Sequence, residues 1–167
     1  MTHASSRPDL CRIGQSAFME VLSVLLSLPA TIRESSNHCP LPNVPNLDLI
    51  ASAVHLTGQR ISGNVEIQLP GAFVARAIHL LTGLAGDSRE AIELRRDTAG
   101  ELANMIAGRI AVQLAADGYA CTLSTPSVSC GVGLPAETES GVDHGRTELF
   151  CDGHWLSLEL KCRYAVP

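Results

Sequence analysis

The chain is short of basic charge. Its 167 residues include only 12 Lys and Arg against 17 Asp and Glu, a formal net charge of −5. The few cations are scattered along the sequence. Nucleic-acid binding needs clustered Lys and Arg to neutralise phosphates, so that class is excluded. No basic patch for an anionic membrane surface is visible either. An uninterrupted apolar run long enough to span a bilayer is also missing. Arg7 and Arg12 precede an apolar stretch from Ala17 to Ala30 that imitates a signal peptide. Glu20 interrupts that stretch, however, and no small-residue cleavage site follows. The expectation is a soluble cytoplasmic protein with no membrane association.

Metal and disulfide signatures are equally thin. The six cysteines, Cys11, Cys39, Cys121, Cys130, Cys151 and Cys162, contain no CxxC pair. Several fall inside apparent strands, and free thiols in a reducing compartment are expected. Cys151-Asp-Gly-His154 has metal-like spacing, but Asp152-Gly153 is a strong two-residue hairpin signal, so Cys151 and His154 flank a turn. The histidines do not cluster with acids or cysteines, and no metal site is expected.

What remains is ordinary globular material. Hydrophobic residues make up 46% of the chain and charged ones 17%, enough for one domain with a real core. Residues 1–14 read as a flexible N-terminal segment and 15–167 as the domain. An apolar stripe of Phe18, Val21, Leu22, Leu25 and Leu28 predicts a helix over residues 15–32, imperfect at Pro29. A proline-rich connector, 37–46, cannot be helical. Leu47–Thr57 and Ile61–Leu69 read as a hairpin around Gly58-Gln59. In the second strand Ile61, Gly63, Val65, Ile67 and Leu69 face one way, and Ser62, Asn64, Glu66 and Gln68 the other, the mark of a sheet with one wet face. A helix over Ala72–Leu84 ends at glycines. A long helix then covers roughly 89–118. Tyr119–Gly131 reads as a strand interrupted at Pro126, hence bent or at an edge. A polar loop, 132–145, leads to strands Arg146–Cys151 and His154–Tyr164. The order α-β-β-α-α-β-β-β predicts an α+β fold, helices packed on an antiparallel sheet.

The chemistry concentrates on the long helix, in Asp97-Thr-Ala-Gly-Glu101-Leu-Ala-Asn104-Met-Ile-Ala-Gly108. At about 100° per residue, Asp97, Glu101, Asn104 and Gly108 share one narrow face, opposite Leu102, Ile106 and Ile110. Polar residues on an outer helix face are commonplace. Yet Asn is a mediocre helix former, and Gly108 costs up to about 1 kcal/mol relative to Ala in a helix interior. With Ala111 and Ala115 on the same face, Gly108 leaves a shallow surface that a partner, or a neighbouring helix, could approach. A carboxylate can anchor a cation, and a carboxamide can hold a water. A faint internal repeat accompanies this: Ser16, Glu20, Ser23 and Ser27 copy the spacing of Asp97, Glu101, Asn104 and Gly108, 81 residues earlier. Ser23 stands where the second copy has its carboxamide.

Asp-x3-Glu-x2-Asn-x3-Gly within "ELANMIAG", followed by a strand ending "STPSVSCG", resembles the CheX/CheC/FliY family of bacterial chemotaxis phosphatases. The order of elements matches from about residue 15 to about residue 163. A single good motif copy points to the CheX-like branch, since CheC-like members carry two. The resemblance implies a phosphatase acting on the phospho-aspartate of a CheY-type response regulator. On that model Glu101 pairs with the regulator's active-site lysine, and Asn104 orients the attacking water. Asp97 matches the position that opens the family motif, and Gly108 belongs to the docking face. No cofactor of the chain's own is implied, because the Mg2+ belongs to the regulator. A homodimer is also implied, paired through strand edges, with Tyr119–Gly131 as one candidate. The same helix would also serve a non-catalytic module that docks a response regulator or a flagellar-switch component. A purely structural dimerising domain is a third reading, but it has no need of Glu101 and Asn104 together.

Overall fold

A computed structural model describes residues 7–32, 48–131 and 141–165. Its elements are α1 (Leu10–Leu26), β1 (Ala30–Ile32), β2 (Leu49–Thr57), β3 (Ile61–Pro70), α2 (Gly71–Thr82), α3 (Arg89–Ala116), β4 (Thr122–Leu123), β5 (Ser127–Cys130), β6 (Asp143–Cys151) and β7 (His154–Tyr164). The strands form one antiparallel sheet in the order β1-β6-β7-β3-β2, with β4 and β5 both paired along the outer side of β2.

The first helix differs most from expectation. It starts at Leu10, inside the segment 1–14 read as a flexible lead, because Asp9 caps it by accepting from the Arg12 backbone N–H at 3.0 Å. Leu10 and Ile13 are core residues. The helix stops at Leu26 rather than residue 32. Ser27 turns left-handed (φ 53°), Pro29 follows, and Ala30–Ile32 pair with Leu149–Cys151 as an edge strand. The expected strand Tyr119–Gly131 is two short pieces on either side of Pro126, which cannot donate to the ladder. β6 begins at Asp143, three residues earlier than expected. The connector 37–46 lies outside the described residues, as does most of the loop 132–145.

Elsewhere sequence and structure coincide closely. Asp152 and Gly153 both have positive φ (47° and 82°), as a tight hairpin turn requires. Gly83, also at positive φ, ends α2. Helix α3 is capped by Ser88, whose hydroxyl accepts from the Ala91 N–H at 3.1 Å.

Alternation along the strands divides the sheet into two faces. Val54, Leu56, Val65, Ile67, Leu156, Leu158 and Leu160 are fully buried and meet the helices. Helix α1 packs on β6 and β7, and α3 crosses β2. The approach of α1 is tight at Gly145, where a Cβ would stand 2.6 Å from the Leu10 carbonyl carbon. Only glycine admits the helix this close. The opposite face carries paired charges: Arg146 reaches Glu148 of its own strand at 2.9 Å and Glu159 across on β7 at 3.4 Å, and Lys161 reaches Glu159 along β7 at 3.2 Å. This is the polar face that the polar half of β3 announced, although Glu148 and Ser157 on it are buried.

The five described cysteines are free thiols. Burial, reinforced by Cys121 and Asp143, pushes the Cys162 thiol up to about 12, so it stays protonated and unreactive at neutral pH.

Candidate functional site on the long helix

Two sets of contacts fix how α3 is rotated on the sheet. Its core side is graded in size. Leu102, Ile106, Ile110 and Leu114 fill the interior, while Ala99, Ala103 and Ala107 let the backbone sit close. A Cβ on Gly100 would already touch Val128 Cγ2 at 3.4 Å and Pro126 Cβ at 3.8 Å. The β4–β5 segment therefore lies along one flank of the helix. Arg96 locks it there, its Nη2 donating to the Val128 carbonyl at 2.7 Å. On the other flank Arg109 pairs with Glu20 of α1 at 3.4 Å.

Between these flanks lies the predicted strip. Asp97, Glu101 and Asn104 are all exposed, and Gly108 is half-buried. Gly108 does not serve close packing within the chain: a Cβ there would find nothing within 4 Å. Among the described residues, neither carboxylate has an ion pair, and Asn104 has no hydrogen-bond partner. No group of three or more His, Cys, Asp or Glu among those residues could hold a metal ion. What the strip offers is unspent capacity: a charge able to take a cation and, one turn on, an amide that both donates and accepts.

The structure brings all four sequence-predicted residues onto this one face. The residues that position the face were not anticipated: Arg96, Gly100, Arg109 and Val128. The run of small residues, Ala99-Gly100 and Ala103 with Ala107, was the available signal for a closely seated helix. The first repeat copy is different in kind. Its carboxylate, Glu20, is half-buried and held by Arg109, and Ser27 lies outside α1 as its C-cap. Ser16, Ser23 and Ser27 are exposed.

Known proteins bear directly on this strip. The family model "Chemotaxis phosphatase CheX" matches residues 50–147, more than half of the chain and all of the motif. The chain belongs to the CheX family. The fold agrees with that of solved CheX and CheC-like structures. Vibrio vulnificus CheX superposes with a TM-score of 0.76 at 16% identity, covering 97% of this chain and 100% of its own. A CheC-like superfamily protein from Shewanella sp. PV-4 gives 0.67 at 17% identity, covering 95% and 99%. The CheX of the Borrelia burgdorferi CheX–CheY–BeF3–Mg2+ complex gives 0.69 at 18% identity, covering 94% and 99%. At such identities the likeness is one of fold. No curated protein matches the chain by sequence. As a CheX family member the chain is a chemotaxis phosphatase, and no helix among its described residues is long and apolar enough to cross a membrane.

With Glu20 held by Arg109, the first helix is expected to be catalytically silent. Replacing Glu20 with Ala removes a half-exposed ion pair, worth at most about 1 kcal/mol. Dephosphorylation rates measured on a phosphorylated regulator are expected to stay within about twofold of wild type. A loss as large as that from Glu101→Ala would place the site across both helices.

Proposed function

We propose that this CheX family member hydrolyses the phospho-aspartate of a CheY-type response regulator with the exposed strip of α3. Glu101 pairs with the regulator's active-site lysine and sets the register. Asn104 enters beside the acyl phosphate and orients a water in line with phosphorus. The water oxygen attacks, the bond from phosphorus to the aspartyl oxygen breaks, and carboxylate and inorganic phosphate leave. The Mg2+ of the reaction sits in the regulator, in the cytoplasm, and the chain contributes no cofactor of its own.

The observation that supports this reading most is the free pair Glu101 and Asn104, one turn apart on an outward face inside the family-matched segment. Phosphoryl transfer needs in-line positioning and charge neutralisation more than covalent help from the protein. An amide holds water without being a base, as the glutamine of GTPases does. That the Borrelia burgdorferi relative was solved as a complex with CheY agrees with a CheY-type partner. Asp97, one turn before Glu101, extends the acidic end of the same docking face.

A homodimer belongs to the same proposal. At one edge of the sheet Arg96 already occupies the Val128 carbonyl of β5. At the other, β1 covers only Leu149–Cys151 of β6, so the Asp143–Glu148 stretch has no outer strand partner among the described residues. Pairing across a two-fold axis would cover it. Light scattering at micromolar concentration is expected to give twice the chain mass, and a monomer would remove the dimer from this account.

Asn104→Ala is expected to slow dephosphorylation roughly 10²–10³-fold, about 3–4 kcal/mol of lost positioning. Binding of the phosphorylated regulator should weaken far less, because the anchoring charge remains. Glu101→Ala should do more damage to binding than to the bound-state rate. Thermal melts of both should match wild type, since both side chains are exposed. Stopped-flow or radiolabel assays, run beside regulator titrations, read all three quantities. Full activity in Asn104→Ala would rule the mechanism out.

A further inference from the structure

Two large apolar side chains share the outward strip of α3 with the motif. Met105 is 40% exposed and Val112 is 66% exposed. The helix does not need them for its packing, which Leu102, Ile106, Ile110 and Leu114 supply from the opposite side. Valine is also a mediocre helix former, so an exposed Val112 brings the helix neither propensity nor burial. Gly108 lies between them, three residues after Met105 and four before Val112. On a helix those spacings put all three on one side. The result is a notch: bare backbone at Gly108 for its floor, with Met105 and Val112 as walls about 10 Å apart along the axis. The rest of the strip is of opposite character. Glu90, Glu93, Asp97 and Glu101 are all exposed on the N-terminal side of Asn104.

The notch adjoins the reacting position. Met105 follows Asn104 directly, and Gly108 is one turn on, about 6 Å along the axis. A surface close enough for Asn104 to hold a water against its phosphorus also lies over Gly108, which shares its face, with Met105 on the flank beside it. We infer that the notch receives an apolar side chain of the phosphorylated regulator, from the surface beside its phosphorylation site. Met105 and Val112 are then specificity-determining residues. The acidic end of α3 takes the regulator's cation, the apolar end takes its hydrophobic side chain, and together they fix the direction in which the regulator lies along the helix. This inference rests on the docking reading above. A helix laying apolar anchors against a partner is an established mode of recognition, and methionine suits it because its unbranched thioether adapts to its neighbour.

The test uses two variants that alter the notch from opposite directions. Met105→Ala with Val112→Ala removes its walls, and Gly108→Leu fills its floor. A Cβ at Gly108 meets no atom within 4 Å and leucine improves helix propensity, so the melting temperature of Gly108→Leu should equal or exceed wild type. The probe is a CheY-type regulator from the same organism, phosphorylated by a small-molecule phosphodonor, with KM and kcat measured separately. Both variants are expected to raise KM by about tenfold or more, with kcat falling far less. An unchanged KM in both, with Asn104→Ala still inactive, would overturn the notch while leaving the proposed function intact. Full activity in Asn104→Ala would remove the docking reading and the notch with it.

Discussion

The rotation of α3 about its own axis is the constraint on which the rest depends. Leu102, Ile106, Ile110 and Leu114 bury one side of the helix against the sheet, and Ala99, Gly100, Ala103 and Ala107 let that side sit low. Interiors pack densely enough that such a helix has one seating rather than a range. Arg96 on Val128 and Arg109 on Glu20 then hold the flanks. With the buried side fixed, Asp97, Glu101 and Asn104 must face outward. The function proposed for them follows from what the core does not use.

That division of labour explains why the two copies of the repeat have diverged in structure as well as in sequence. In the second, carboxylate and amide are free. In the first, Glu20 is tied to Arg109, Ser23 offers only a hydroxyl, and α1 ends before the position that matches Gly108. Helix α1 has become a support for α3. A phosphatase that leaves charge neutralisation to its partner and supplies only the in-line water needs one competent helix, provided that helix does not move.

The motif face was legible in the sequence because helical periodicity is a strong local signal and α3 is 28 residues long. The hairpin at Asp152-Gly153, the polar face of β3 and the ends of α2 and α3 were legible for the same reason: each is written in neighbouring residues. The misjudged places depend on distant ones. Residues 28–32 continue an apolar stripe, but Ser27 turns left-handed and Ala30–Ile32 find a partner in β6, more than a hundred residues away. Leu10 looked like part of a loose lead because its packing partner is the backbone gap at Gly145. Arg96 and Arg109 read as ordinary surface charges until the fold placed Val128 and Glu20 beside them. Met105 and Val112 are legible in the sequence as apolar residues on the wrong side of an amphipathic helix.

The central claim is that Asn104 acts as an amide and not as a base. Asn104→Asp tests it most directly, since the side chain keeps its size and exposure while the amide becomes a carboxylate. Dephosphorylation of the phosphorylated regulator, followed under single-turnover conditions, should fall at least as far as in Asn104→Ala, because a negative charge now faces the phosphoryl group and the amide's N–H donors are gone. Retention of wild-type rates by Asn104→Asp would contradict the account and make the residue a general base.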